Sequence, residues 1–418
     1  MQAMVNPYRD KSMKIVTNRY QNCFIGICGQ ALPNPRPLGR AATIRSMLPA
    51  LPSLLTSAGK TRRLLLCMGP AAVLWPGGAL ADAATALPVP QLQLPRDLGS
   101  HPDFGTEWWY ITGRALSGTR EFGFQLTFFR SRVAATQALA SRFAAKQLLF
   151  AHAAVTDVQG KKLWHDQRIA RAGFGVAGVS DADTAVRLRD WSLVRAAGGS
   201  YTAELPAQDF GLHLQLAPNQ PVVLQGQQGL SRKGPQPNQA SYYISQPQLA
   251  VGGHLQLQGQ RFEIRKDTSR AWLDHEWSNA YLHPEAVGWD WLGMNLQDGS
   301  ALMAFRIRRR DGSTLWDGGS HRTAQGALTI FQPGEVRFTP GRVWTSPANQ
   351  ARYPVEWALD TPMGRFQVQS VLDNQELDSR GSTGAVYWEG LSRLLDAQGR
   401  LVGHGYLEMT GYAGALRM

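Results

Sequence analysis

The chain has 418 residues, 43% of them hydrophobic, with 43 Lys and Arg against 31 Asp and Glu and a formal net charge of +12. Residues 1–81 hold ten of the basic residues and one acidic residue, which leaves 33 against 30 from residue 82 onward. The high pI therefore belongs to the N-terminal stretch and gives no support to nucleic-acid binding. Cys23, Cys28 and Cys67 all precede residue 82, so the remainder has no disulfide, thiolate metal site or cysteine nucleophile.

In chain order, Lys60, Arg62 and Arg63 precede the apolar run 64–75, LLLCMGPAAVLW, and small residues then lead to Ala79-Leu80-Ala81. Basic, apolar and small residues in that order predict a secretory signal peptide cut before Asp82. Pro70, Pro76 and a Gly pair make the run a poor membrane span. Residues 1–46 then read as a mis-assigned start, with Met47 opening the signal peptide, and the protein is expected in the periplasm or secreted. The Pro-rich residues 82–100 read as a linker.

From Thr106 onward the pattern is mostly period two. Residues 107–129 predict a hairpin turning at Ser117-Gly118-Thr119. Residues 136–149, TQALASRFAAKQLL, form the one helical candidate, by propensity. AVRLRDWSLVRA, YTAEL, FGLHLQL, VVLQG, GHLQLQG and RFEIRK alternate as strands do. Residues 289–309 predict a second hairpin around Asp298-Gly299, since Asp-Gly readily takes the positive φ of a tight turn. AVYWEGLSRLL and GRLVGHGYLEMTGY make a further pair around Ala397-Gln398-Gly399. Short strands at regular spacing with little helix predict a mainly β fold of antiparallel sandwiches or barrels. The two aromatic-led hairpins, each ending in Arg, suggest two similar halves. We place a first domain at 101–265 and a second at 266–418.

The chemistry concentrates in AWLDHEWSN, residues 271–279. His275-Glu276 begins like a zinc-protease helix, but Asn279 stands where the second His must be. No G-x-S-x-G elbow, phosphate loop or dinucleotide fingerprint occurs, and neither metal nor cofactor is expected. On a strand, alternate residues share a face. Trp272, Asp274 and Glu276 therefore face one way, and His275 and Trp277 the other. If the strand is buried, a carboxylate or imidazole goes with it and needs a partner or shifts its pKa. Either Asp274 or His275 ties strands together, or the stretch holds a proton donor in an apolar pocket.

HPDFGTEWWYITG, FQLTFFRSR, FAHAAVTD, GLSRKGP with ASYYIS, AWLDHEWSNAYL, GWDWLGMNLQDGS, YWEG and GYLEMTGY resemble the AttH/CrtC type of secreted protein, over roughly residues 90–418. This family includes carotenoid 1,2-hydratases and proteins called predicted secreted hydrolases. The resemblance implies two antiparallel lipocalin-like β-barrel domains. It also implies cofactor-free addition of water to an isoprenoid alkene, with hydrolysis of an apolar lipid as a related possibility. The family's essential His-x-Trp pair matches His275-Glu276-Trp277. Its aromatic–x–Asp set is approximated by Trp289-Asp290-Trp291, where the aromatic adjoins Asp290 instead.

Hydration of a trisubstituted alkene begins with protonation to a tertiary cation. An apolar wall keeps a carboxylic acid protonated near neutral pH, and indole faces stabilise the cation. Asp274 or Asp290 would be the acid, His275 would position water or set the acid's state, and Trp277 would face the cation. Trp109, Trp272, Trp289, Trp291 and Tyr243 would bind the apolar substrate in a barrel interior or mouth. The alternative is a non-catalytic periplasmic carrier of a hydrophobic small molecule, serving a membrane transport complex. That reading leaves the membrane surface open as a partner.

Overall fold

The structure, a computed structural model, describes residues 86–280 and 282–416; the signal-peptide reading lies outside them. The described chain is strand after antiparallel strand, with two 3-10 turns at Arg96–Leu98 and Ala134–Thr136 and no α-helix among the described residues. Two sheets carry the fold.

The first, of 14 strands, starts with a meander, Thr106–Ser117, Arg120–Arg132, Gln147–Asp157 and Lys162–Arg171, and continues from Thr106–Ser117 through Arg270–Ala280 to Ala240–Leu257. From there it passes through five shorter strands between residues 177 and 217. Its two arms approach each other: Arg168, on the edge strand Lys162–Arg171, lies over the ring of Trp191 from the opposite arm at 4.6 Å. The nearly closed sheet wraps a core that includes Trp109, Ile111, Phe122, Leu193, Leu214 and Leu273. The second sheet, of ten strands, runs from Leu328–Phe331 through Ala286–Leu296, Leu401–Met409 and Val386–Leu395 to Arg337–Pro340. It closes on Leu292, Met294, Trp357, Trp388 and Leu407. The predicted hairpins are present: Ser117 pairs Arg120, and Asn295 pairs Ala301 across the Asp298-Gly299 turn.

Three expectations are corrected. Residues 137–146 are not helical, and Gln147–Asp157 is a strand. Helix propensity in a short segment is too weak to nucleate without a face to bury. The boundary expected near 265 lies later: Arg270–Ala280 is hydrogen-bonded between two strands of the first sheet, and the second sheet begins at Ala286. Of the expected linker, residues 86–100 pack on the fold. Leu98 is buried, Leu87 and Leu92 pack with Tyr242 and Trp277, and the Tyr242 hydroxyl donates to the Pro88 carbonyl at 3.0 Å.

The two sheets press outer face to outer face. Tyr110, Tyr243 and Trp272 of the first meet Trp291, Phe305 and Tyr406 of the second in one apolar cluster. Gly293 makes room for this: a Cβ there would lie 2.5 Å from the Trp291 ring and 3.0 Å from that of Trp272.

Candidate active site

A cavity of about 330 Å³ lies between the sheets. Its walls come from strand faces that alternate as the sequence requires. Trp108 and Tyr110 contribute from the first strand, and Thr127 and Phe129 from the second. Asp274 and Glu276 come from Arg270–Ala280, and Trp289 and Trp291 from Ala286–Leu296. Tyr387 and Glu389 share one face of Val386–Leu395, and Glu408 reaches in from Leu401–Met409. The chamber is thus not the interior or mouth of either barrel, as expected, but the space between them.

Asp274 is the best-held carboxylate. Tyr243 Oη donates to its Oδ2 at 2.7 Å, and Ser245 Oγ and Trp272 Nε1 donate to its Oδ1 at 2.6 and 2.7 Å. Trp291 Nε1 in turn donates to Tyr243 Oη at 3.0 Å. Burial pushes the Asp274 carboxyl up to about 7, against the three donors and with help from the Glu276 charge. Three donors and no acceptor suit the ionised form, while burial opposes it.

Glu389 and Glu408 are direct cross-strand partners. Burial and the Glu408 charge push Glu389 well above the usual carboxylate range. Burial also raises Glu408 to about 7, opposed by the Trp289 side chain and reinforced by Asp274, Glu276 and Asp290. Glu389 Oε1 has no hydrogen-bond partner. Two carboxyls so placed cannot both ionise cheaply, so the pair retains a proton near neutral pH. The phenols of Tyr110 and Tyr387 beside them are also held protonated by burial and by these charges.

Two more polar devices line the wall. Lys233 Nζ pairs with Glu276 at 2.9 Å and sits 4.6 Å from the Tyr243 and Phe305 rings. His152 Nδ1 meets Tyr387 Oη at 2.7 Å and its Nε2 meets Ser382 Oγ at 2.8 Å. Burial lowers this imidazole to about 3, so it stays neutral.

The sequence-predicted residues divide between faces. Asp274, Trp289, Trp291 and Tyr243 line the cavity, and Trp272 braces Asp274 from behind. His275, Trp277, Trp109 and Asp290 do not line it.

His275 turns toward the first core. Its ring stacks on Trp109 at 4.7 Å, and Nε2 meets Glu107 Oε1 at 3.0 Å. Burial lowers its pKa from the ordinary value against the pull of Glu107. Trp277 stacks on His101 at 3.8 Å. His101 Nδ1 also meets Glu107 Oε1, at 2.8 Å, and Arg130 Nε donates to Oε2 at 2.8 Å. Burial would raise Glu107, but the two imidazoles and Arg130 outweigh it and hold the carboxyl far below its usual range. Three candidate metal-donor atoms of His101, Glu107 and His275 lie within 4.8 Å of one another. The carboxylate there is already neutralised by Arg130, so the cluster works as a clasp joining residues 100–104 to the sheet.

Asp290 faces into the second barrel. It pairs with Arg306 Nε at 2.7 Å and Arg308 Nε at 3.0 Å, and Tyr412 Oη donates to it at 2.9 Å. Both of its carboxylate oxygens are thus engaged on the side away from the cavity, by two guanidiniums and a phenol.

Glu389 and Glu408 are the residues that sequence reasoning did not place. A signal was there: Tyr387 and Glu389, like Tyr406 and Glu408, stand two apart on apolar strands, so each acid shares a face with a phenol.

Fold and cavity together define an antiparallel β protein of two lipocalin-like units closing on a carboxyl-lined chamber. Within that class, the chain belongs to the AttH-like family, whose model matches residues 85–412. It is 46% identical to a Nitrosomonas europaea protein that carries the AttH name, over 79% of this chain and 99% of that one, with a TM-score of 0.73. Its fold is similar to that of kievitone hydratase from Nectria haematococca, at 14% identity over 80% of this chain and 95% of that one, with a TM-score of 0.61. CghA solved with Sch210972 is 12% identical over 75% of this chain and 90% of that one, with a TM-score of 0.50. These last two are likenesses of fold. A search of curated proteins finds no match.

Proposed function

We propose that this protein is an exported, cofactor-free hydratase of the carotenoid 1,2-hydratase kind, adding water to an apolar isoprenoid or lipid alkene. The observation that carries the reading is the Glu389–Glu408 pair facing Asp274 across an aromatic-walled cavity. The name of the kievitone hydratase fold neighbour is consistent with it. Export rests on the order of basic, apolar and small residues at 60–81.

Glu389 gives its proton to one alkene carbon, and the π electrons form the C–H bond. The tertiary cation left on the other carbon lies among Trp108, Trp289 and Trp291, whose faces stabilise a desolvated cation. Water attacks it, forming the C–O bond, and passes its extra proton to the Asp274 carboxylate, which Tyr243 and Ser245 orient. Return of that proton to the Glu389–Glu408 pair closes the cycle, with one water added. The roles expected of Asp290, His275 and Trp277 pass to Glu389, Asp274 and the cavity indoles. Hydrolysis of an activated apolar substrate would use the same acid and base.

A carrier reading rests on the aromatic side chains of the wall alone, which would hold a hydrophobe without changing it. One experiment separates the two: incubate the protein with an acyclic isoprenoid in ¹⁸O-labelled water and follow product mass. Incorporation of one labelled water that Glu389→Gln abolishes supports hydration. Recovery of bound, unchanged ligand from the parent protein makes it a carrier.

A further inference from the structure

We propose that the loops at 133–146 and 172–176 form a docking knob that seats the rim of the cavity on an anionic lipid bilayer. The first loop carries two of the most exposed apolar side chains described, Phe143 at 70% and Leu139 at 50% exposure. The second carries Phe174 at 53%, with Val176 beside it at 40%. Phe143 and Phe174 stack on one another with centroids 5.6 Å apart. Two phenyl rings held together in solvent are an unusual use of apolar surface, and here the backbone enforces it. Gly173, Phe174 and Gly175 have φ of 104°, 57° and 71°. A bulky residue at positive φ is strained, and no burial repays it, because the ring points outward.

The charged residues within and immediately flanking the two loops are all basic. The chain has no acidic residue from 132 to 156 or from 167 to 180. Arg142 lies over the Phe174 ring at 5.6 Å and Arg171 at 4.4 Å. Arg171 also binds the Phe143 and Arg142 carbonyls, tying the loops together. Arg132, Arg142, Lys146 and Arg171 have no carboxylate partner among the described residues. Exposed aromatics ringed by unpaired cations are what an interfacial anchor needs: rings for the acyl boundary and cations for anionic headgroups.

Position gives the knob its use. Both loops leave the same end of the first sheet, where Arg132 pairs Gln147 and Leu148 pairs Arg171. Ser131 and Phe150, beside that end, line the cavity and are only half-buried. An apolar ligand leaving the bilayer would therefore meet the cavity rim without crossing water. The proposal does not require that the cavity add water, and either can fail alone.

The test is co-sedimentation of the full chain with vesicles. Vesicles containing phosphatidylglycerol are compared with vesicles of phosphatidylcholine alone. The parent protein is expected to bind the anionic vesicles and to lose binding as salt rises. Phe143→Ser with Phe174→Asn, where Asn tolerates positive φ, should weaken binding at least ~10-fold. Arg142→Gln with Lys146→Gln should weaken it ~25-fold, at ~5-fold per cation. Both variants change exposed groups, so unchanged thermal unfolding shows the fold intact. Equal binding by parent and variants, or no preference for the anionic vesicles, overturns the proposal. So does sedimentation velocity showing that the ring pair closes a dimer of the parent, or binding to DNA in place of vesicles.

Discussion

Replacing Asp274 by Asn tests the cavity's central electrostatic feature. Asn has the same shape, and its Oδ1 still accepts from Ser245 and Trp272, but the site can no longer ionise. In the parent, folding raises the Asp274 pKa from 3.8 to about 7. At 1.36 kcal/mol per unit this shift corresponds to about 4 kcal/mol. The folded state holds the proton more tightly than the unfolded state, so unfolding free energy falls with pH between those values. The contribution is fully present below pH 3.8 and is lost as pH rises through about 7. Asp274→Asn should remove that slope. The amide also disturbs the Tyr243 hydrogen bond, at a pH-independent cost of about 1–3 kcal/mol. Relative to the parent, the variant should therefore gain about 4 kcal/mol between pH 4 and pH 9. Urea unfolding of both proteins at several pH values measures it. Turnover should fall ~10²–10⁴-fold if the carboxylate takes the proton from water. A stability difference independent of pH would show that Asp274 does not titrate in this range, and would refute the account of the cavity as a low-dielectric chamber.

Glu389→Gln should lose turnover ~10²–10⁴-fold while keeping its fold and its affinity for the apolar ligand, read by single-turnover kinetics and ligand titration. Activity should rise with pH as Asp274 ionises through about 7, then fall where the Glu389–Glu408 pair gives up its last proton; a profile flat from pH 5 to 10 contradicts both roles. His275→Ala should cost about 3 kcal/mol by opening the clasp around Glu107, with folded protein keeping its turnover. Loss of turnover at unchanged stability would return His275 to the chemistry. Gly293→Ala should cost about 1–3 kcal/mol by forcing Trp272 and Trp291 apart, visible in the melting temperature and in tryptophan fluorescence.

Much of this protein was legible in one dimension. Period-two alternation and the Asp-Gly and Ser-Gly turns mark the strands correctly, because side chains on a strand must alternate and tight turns need positive φ. The same rule put Trp272, Asp274 and Glu276 on one face and His275 and Trp277 on the other. Propensity failed at 136–149, where Ala-rich sequence has no apolar face to bury and ends as loop and strand. What the sequence could not decide is which face of Arg270–Ala280 looks into a cavity. That choice belongs to the packing of two curved sheets, which turns Asp274 toward Glu389 and Glu408, more than a hundred residues away. The same packing walls His275 into a clasp with Glu107 and surrounds Asp290 with arginines. Alternation is a property of the local backbone, whereas dielectric, proximity and partner charge exist only once distant strands have met.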